Sequence, residues 1–169
     1  NRGFAHAGVK LHGLGFIIEE AEARALGYGK VQGVEKYIRP YRNGRDITQR
    51  NRGLFALDFF GLEQEEVRKK FPSAYQHLAQ NVRPERERNN RSSYRLNWWV
   101  FGEPRRELRP ALDSLDCFIA TVDTARHRVF QFLPAAIICD DKSVIIATND
   151  PYVLGILSSK THVQWSLRA

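Results

Sequence analysis

The sequence contains no methionine, not even at its first position, and only two cysteines among its 169 residues. The missing initiator suggests a piece excised from a longer chain. Cys117 and Cys139 lie in apolar, strand-like stretches and not in closely spaced pairs. This pattern predicts two reduced, buried thiols, so a disulfide-stabilised secreted domain is not expected.

Long apolar segments are missing as well. No run of 18 or more apolar residues occurs, and the start, NRGFAHAGVK, lacks the apolar core of a signal peptide. No segment opposes a Lys/Arg-rich face to a Trp/Leu-rich face, as a helix on a membrane surface would. We therefore expect a soluble cytoplasmic protein without a membrane partner.

Metal-ligand and nucleophile motifs are also lacking. The five histidines and two cysteines show no CxxC or HxxxH spacing, and Ser92-Ser93 and Ser158-Ser159 lack the context of an activated nucleophile. Asp140-Asp141-Lys142 faintly resembles a nuclease cluster, but a hairpin turn explains it without chemistry. We expect no catalytic residue and no metal site in this chain.

Two fragments partly match methyltransferase motifs. Asn149-Asp150-Pro151-Tyr152 is similar to the Asn/Asp-Pro-Pro-Tyr motif but lacks the second proline, and it is typical of a capped helix start. Gly13-Leu14-Gly15-Phe16 has two glycines without the flanking strand and helix of a cofactor-binding turn. Both fragments favour a structural interpretation.

What is present predicts one folded domain over residues 1–169. Hydrophobic residues make up 43% of the chain, with 10 Phe, 6 Tyr and 3 Trp. The fold class that the pattern indicates is α/β (α+β), with a mixed, largely antiparallel sheet and packed helices. Helices are expected at 19–26, 63–71, 72–82, 104–115 and 152–167, and strands at 9–12, 16–18, 54–60, 118–124, 128–134, 136–139 and 144–148. The last four strands read as an antiparallel meander, and 28–52 as a loop-rich segment.

The most informative feature is arginine density in a chain of net charge +7. One predicted loop carries Arg39, Arg42, Arg45, Arg50 and Arg52, and a second carries Arg83, Arg86, Arg88, Arg91 and Arg95. Glu85 and Glu87 leave open a solvated, salt-bridged helix end for the second loop. Both loops together favour binding to duplex DNA, because arginine binds phosphates and the guanine edge in pairs of hydrogen bonds. Asn43, Gln49, Asn89 and Asn90 add side chains that can contact adenine.

A succession of segments resembles a known family. YRNGRDITQRNRGLFALDFFGL, FPSAYQHLAQNVRPERERNNRSSYRLNWWVFGEPR, FIATVDTARHRVFQF and GILSSKTHVQW occur in the order found in the target recognition domain of MmeI-like restriction-modification enzymes. These enzymes are long chains that join an adenine-N6 DNA methyltransferase, often with a nuclease, to a domain that reads the DNA site. The short segment Gly44-Arg45-Asp46-Ile47 is also similar to one in TaqI-like and Eco57I-like specificity domains.

The resemblance implies that this chain recognises a double-stranded DNA sequence and carries out no reaction itself. The parent chain would supply the methyltransferase domain, which would bind AdoMet and methylate an adenine outside this segment. Expected DNA contacts are Arg39, Arg42, Asn43, Arg45, Gln49, Arg50, Arg52, Arg83, Arg86, Arg88, Asn89, Arg91, Arg95, Thr124, Arg126, His127, Arg128, Lys160, His162 and Gln164. Trp98 and Trp99 are expected to form a buried aromatic ridge, the alternative being stacking on a base. The alternative functions are a protein-interaction module and a small nuclease.

Overall fold

The computed structural model describes residues 3–125, 127–166 and 168. The chain forms two compact units, each built from separate segments. Unit 1 comprises Asn1–Gly8, Arg42–Arg52 and Arg105–Ala169, and unit 2 comprises Val9–Tyr41 and Gly53–Pro104. The chain thus passes between the two units at four points. That residues 1–169 act as one recognition domain stays a prediction.

The described residues form short helices and strands throughout, which confirms the α+β class. In chain order these are β1 (Ala5–Ala7), β2 (Ile17–Ile18), α1 (Glu20–Ala25), β3 (Ile38–Arg42), α2 (Gly44–Thr48), β4 (Phe55–Leu57), α3 (Gln64–Lys70), α4 (Pro72–Asn81), α5 (Arg83–Glu87), α6 (Ser92–Leu96), α7 (Leu108–Leu112), β5 (Cys117–Val122), β6 (Gln131–Pro134), β7 (Ile138–Cys139), β8 (Ser143–Ile146), α8 (Pro151–Ser158) and α9 (Lys160–Ser166). Single 3₁₀ turns occupy Leu14–Phe16 and Val34–Lys36.

Unit 1 contains an antiparallel sheet with the strand order β1-β8-β5-β6. Ile119 of β5 pairs with Ile146 of β8 on one side and with Phe132 of β6 on the other. Phe118, Ala120 and Ile145 are buried in its core. The meander prediction is partly wrong, because β7 is not a strand of this sheet and the N-terminal strand β1 completes it.

In unit 2, β4, which lies within the predicted strand 54–60, is placed between β2 and β3. Ala56 of β4 pairs antiparallel with both Ile17 and Arg39. Helix α3 begins with a capping box between Glu63 and Glu66, and α4 begins at Pro72. Proline suits that position because the first turn of a helix needs no N–H donor there. The predictions for these two helices are confirmed.

Several predicted bounds are wrong. Residues 9–12 contribute an isolated bridge between Lys10 and Glu103 and no strand, and the loop predicted at 28–52 contains β3 and α2. The polar stretch 83–95 contains α5 and most of α6. The helix predicted at 104–115 is limited to α7, and that predicted at 152–167 is interrupted at Ser159. These elements depend on tertiary contacts that periodicity does not reveal.

The aromatic ridge is confirmed, since Trp98 is 4% and Trp99 is 7% exposed. The indole Nε1 of Trp99 donates to the Leu62 carbonyl at 3.0 Å. Both cysteines are free thiols, as predicted, but only Cys139 is buried; Cys117 is half-buried, so the prediction of two buried thiols is wrong for that residue. Among the described residues, no helix combines the length and apolar character needed to cross a membrane.

Candidate functional site

Helix α2 lies within the arginine-rich segment 42–52 of unit 1. Asn43 caps this helix, which lies within the segment 28–52 that was predicted to be loop-rich. Its Oδ1 accepts from the N–H groups of Arg45 at 3.0 Å and Asp46 at 3.2 Å. The Asp46 carboxylate accepts in return from the Asn43 N–H at 3.0 Å. This capping box satisfies donors that a five-residue helix would otherwise leave unpaired.

Asp46 also binds Arg52, which closes the segment after the helix. Its Oδ1 accepts from Arg52 Nε at 2.8 Å and from the Arg52 N–H at 3.1 Å, while Oδ2 accepts from Nη2 at 2.9 Å. Burial alone would raise the pKa of Asp46, but the hydrogen bonds from Arg52 and from the Asn43 N–H hold it below its ordinary value. Arg52, predicted to contact DNA, is thus committed to fixing this segment.

Arg45 is the exposed cation that this framework supports. It forms no ion pair with Asp46, which binds Arg52, or with Asp58, which lies 3.7 Å from Arg39. No ion pair of Arg45 occurs within the described part of the chain. Its guanidinium is therefore available to an external anion.

The opposite side of α2 is fixed to the sheet of unit 1. Ile47 is buried in the core beside β5, and its carbonyl accepts from Gln131 Nε2 of β6 at 2.8 Å. A side chain at Gly44 would begin 3.0 Å from Val122 Cγ1, so glycine permits this close approach. Val122 is the last residue of β5, which places the start of α2 beside the start of the β5–β6 loop.

The β5–β6 loop, residues 123–130, contains four predicted DNA contacts. Thr124 and His127 are exposed, while Arg128 is half-buried and its Nη1 donates to the Asp123 carbonyl at 3.0 Å. Arg128 thus ties the two ends of the loop together. Arg126, also predicted as a contact, lies outside the described residues.

Helix α9 contacts the far end of this loop. The rings of Phe130 and His162 lie 5.7 Å apart, and His162 Nδ1 is 2.8 Å from the Leu157 carbonyl. A carbonyl only accepts, so Nδ1 carries the proton and a neutral His162 leaves Nε2 as an acceptor. Lys160 and Gln164 are exposed four residues apart, a spacing that places them on one side of a helix.

Unit 1 therefore brings three predicted segments together around the β5–β6 loop. We call their exposed members the basic face: Arg45, Gln49, Arg50, Thr124, His127, Lys160 and Gln164. The sequence of unit 1 contains 13 Lys and Arg against 8 Asp and Glu, a net charge of +5 out of +7 for the chain. Such a charge attracts polyanions.

Most predicted contacts in unit 2 have structural roles instead. Arg83 binds Glu87 at 2.7 Å and lies over the Trp98 ring, and Arg95 donates to the Asn89 carbonyl at 2.6 Å. Arg91 lies over the Tyr94 ring and donates to its hydroxyl. Arg88 is exposed, with no ion pair among the described residues. Much of the segment 83–95 therefore has the structure of a salt-bridged helix end, the alternative that the sequence allowed.

Arg86 requires a correction. It was predicted to contact DNA, yet it is 1% exposed and its Nη2 donates to the carbonyls of Leu11 and Val100, both at 2.9 Å. The rings of Phe16 and Tyr94 flank its guanidinium, and burial lowers its pKa.

Two other predicted contacts are half-buried. These are Arg39 in unit 2, beside Asp58, and Arg42 in unit 1.

A turn does occupy Asp140-Asp141-Lys142, where the Ser143 N–H donates to the Asp140 carbonyl at 3.0 Å. The hairpin prediction is wrong, because β7 and β8 belong to different sheets. Asp140 Oδ1 accepts from Ser143 Oγ at 2.8 Å, and burial raises the pKa of this carboxyl. No group of three or more potential ligands able to hold a metal ion occurs in the described part of the chain.

Sequence reasoning missed the residues that support the basic face. The sequence predicts Gln131 only as part of the strand 128–134, and Asp46 only as part of the loop-rich segment 28–52. The spacing Asn43 to Asp46, a cap followed three residues later by a carboxylate, was an available signal for the helix. No local signal indicates that Gln131 reaches the Ile47 carbonyl, 84 residues away in sequence.

The Asp46 framework has a testable pH dependence. Because its folded pKa lies below the ordinary 3.8, the ionised carboxylate stabilises the fold above that pH, and this contribution is lost as pH falls through the folded pKa. We expect Asp46→Asn to be less stable than wild type at neutral pH, with a difference that shrinks in acid. Urea unfolding across this pH range measures it. Glu65→Gln, at an exposed ion pair, is the control and should change little; a constant Asp46→Asn difference at all pH values would contradict the prediction.

No protein-family model matches the chain, and no curated protein matches it in sequence. Its structure is similar to part of the type IIL restriction-modification enzyme MmeI, which was solved in complex with DNA. The TM-score is 0.68 at 17% sequence identity, over 96% of this chain and 21% of the MmeI chain. The likeness establishes a shared fold, and this chain spans about a fifth of that enzyme's length.

Proposed function

We propose that this chain is a target recognition domain that reads a double-stranded DNA sequence for a restriction-modification DNA methyltransferase. The observation that carries the proposal is the basic face. There α2 and α9 both contact the end of the β5–β6 loop: Gln131, just after the loop, donates to the Ile47 carbonyl of α2, and the Phe130 ring contacts His162 of α9. The shared fold with part of an enzyme solved on DNA supports it. So does the order of sequence segments that resembles MmeI-like recognition domains.

The basic face offers two kinds of side chain, one suited to DNA phosphates and the other to base edges. Arg45 and Arg50 are exposed guanidinium groups on or just after a helix fixed by Asp46 and Arg52, and they suit phosphates, which position a protein without reading sequence. Thr124, His127 and the α9 side chains offer donors and acceptors of several kinds. Such groups suit base edges in the major groove.

We further propose that the reaction itself belongs to other parts of a longer chain. That chain would bind AdoMet, extrude an adenine from the duplex and methylate its N6 atom, with or without an additional nuclease. This division accords with the absence of a complete methyltransferase motif from the sequence. The two free thiols support a reducing, cytoplasmic location.

Salt dependence of DNA affinity tests the proposal. Each neutralised phosphate contributes about 0.9 log units of affinity per log unit of salt, so wild type should show a steep negative slope. Arg45→Ala should weaken binding to every duplex by a similar factor and make the slope shallower by about one contact. Fluorescence anisotropy over a salt series measures both quantities, and thermal melting reports the fold.

Lys69→Ala is the matched control, because Lys69 is exposed on α3 outside the basic face. It should leave the slope nearly unchanged. A wild-type slope near zero would exclude DNA as the partner. Unchanged slope, affinity and melting in Arg45→Ala would remove α2 from the interface.

A second candidate, a protein-interaction module, is favoured by the C-terminal helices. Helices α8 and α9 contain no buried residue within the described part of the chain. Tyr152 is 73%, Ile156 48% and Trp165 67% exposed, and large exposed apolar side chains on two consecutive helices favour a protein contact. Binding to such a partner would tolerate high salt, so the same salt series separates the two candidates.

A further inference from the structure

A second candidate site in unit 1 lies outside the basic face. It is a cavity of about 480 Å³ between β1 and the segment that leads into α7. Its lining residues are Ala5, His6, Ala7, Arg105, Arg106, Glu107 and Leu108. This volume lies within the usual range for small-ligand pockets. None of the lining residues is among those that the sequence predicts to contact DNA.

The first wall of the cavity is the outer strand of the sheet. The Phe4 carbonyl accepts from the Ala147 N–H at 2.8 Å, and the Gly8 N–H donates to the Ser143 carbonyl at 2.9 Å. Antiparallel pairing alternates between hydrogen-bonded and non-hydrogen-bonded residues, so the odd-numbered Ala5 and Ala7 direct their N–H groups away from β8. Their carbonyl groups point the same way, and because β1 is an edge strand of this sheet, these two donors and two acceptors lie along its outer side. Ala5 and Ala7 themselves line the cavity.

The second wall supplies positive charge at a strained position. Arg105 has φ +54°, in the left-handed region that residues with a side chain rarely adopt. Its Nε donates to the Gly8 carbonyl at 2.8 Å, which holds the guanidinium against β1. Backbone strain of this kind concentrates at binding sites. Arg105 and Arg106 together outweigh the one carboxylate of the lining, Glu107.

His6 adds a polar group that the fold does not satisfy. Its Nε2 is buried and has no hydrogen-bond partner among the described residues. An unpaired buried polar atom destabilises the fold, and a bound partner would remove that cost. Rotation of the ring toward the cavity would pair this nitrogen with an oxygen of a bound anion. Backbone amides, guanidinium groups and an imidazole are together the donor set that oxyanions prefer.

We propose that the pocket formed by β1, Arg105 and Arg106 binds a single phosphate group. The phosphate belongs either to the backbone of DNA, in which case the inference rests on the proposed function, or to a free phosphate or phosphorylated small molecule. Two guanidinium groups set the site apart from a carboxylate-rich or apolar pocket. Its small lining residues, Ala5 and Ala7, leave room beside the amides.

NMR of the histidine side chains tests the proposal directly. The 169-residue chain is titrated with inorganic phosphate against sodium chloride at matched ionic strength, and the His6 signal is assigned by its loss in His6→Gln. Wild type should show a saturable His6 shift. Arg106→Gln should weaken phosphate binding about tenfold, as loss of a charge-assisted hydrogen bond predicts. Lys69→Gln, which removes an exposed charge elsewhere, should leave binding unchanged.

A short DNA duplex is then added to the phosphate-saturated chain, with DNA binding followed separately by anisotropy. Loss of the phosphate-bound His6 signal assigns the pocket to the DNA backbone, and its persistence on the DNA-bound chain assigns it to free phosphate. Absence of a saturable His6 shift with either ligand overturns the pocket, as does equal phosphate affinity in folded Arg106→Gln. If wild type fails to bind DNA but still binds phosphate, only the proposed function is overturned.

Discussion

Arg86→Ala is expected to lower the free energy of unfolding by about 3–5 kcal/mol, the range for truncating a large buried side chain. The guanidinium of Arg86 occupies a space flanked by Phe16 and Tyr94, and its Nη2 donates to two carbonyls. Alanine would leave a cavity between these rings and two carbonyls without their donor. Urea unfolding monitored by tryptophan fluorescence measures the loss, since Trp98 and Trp99 lie in the same unit.

Arg86→Met distinguishes packing from hydrogen bonding. Methionine fills much of the same volume without burying a charge, and Arg86 Nε and Nη1 have no partners among the described residues. Replacing a poorly compensated buried charge by an apolar side chain is often tolerated. We expect Arg86→Met to recover more than half of the stability lost in Arg86→Ala. Arg88→Ala, at an exposed position of the same segment, should stay within about 0.5 kcal/mol of wild type. An Arg86→Ala protein of wild-type stability would contradict the buried role.

His162→Ala is expected to relax the choice of base at one position of the recognised site by about 1–3 kcal/mol. The donation of His162 Nδ1 to the Leu157 carbonyl leaves Nε2 as an acceptor. An acceptor at this place would favour an exocyclic amino group, which adenine and cytosine present in the major groove. Losing it should change specificity while phosphate contacts keep most of the affinity.

Selection from a randomised duplex pool, followed by sequencing, measures this change whatever the recognised sequence is. Wild type should enrich one sequence, and His162→Ala should accept more than one base at a single position. Arg45→Ala is the contrasting variant, because loss of a phosphate contact weakens all sequences alike. If His162→Ala enriched the same sequence with the same stringency, His162 would not be a base contact.

Local sequence signals were sufficient for the elements that carry their own caps and periodicity. Pro72 and Pro151 begin α4 and α8, and Asp150 caps α8 by accepting from the Tyr152 N–H at 2.8 Å. Strands β5 and β6 were predictable because their apolar runs are bounded by polar turns. In each case the deciding groups lie within a few residues of one another.

The site could be predicted only in part, because side chains of one type take different roles. The stretch from 83 to 95 contains five arginines that the sequence does not distinguish. Among them Arg86 alone is buried, and it donates to carbonyls that lie 75 and 14 residues away in the sequence. Arg45 lies in α2 and Arg52 follows that helix, and only Arg52 is held by Asp46. Such differences depend on long-range contacts, which a single sequence does not display.

The pairing of β1 with β8 also sets an order for folding during synthesis. All segments of unit 2 have been translated by residue 104, whereas Ala5–Ala7 must wait for Val144–Ile146 before their strand has its partner. The residues of β1, although translated before every segment of unit 2, are therefore among the last of this chain to find their place in the sheet. A nascent chain arrested shortly after residue 104 holds every segment of unit 2 but leaves β1 as an unpaired strand, a state in which edge-to-edge association with other chains is the main hazard.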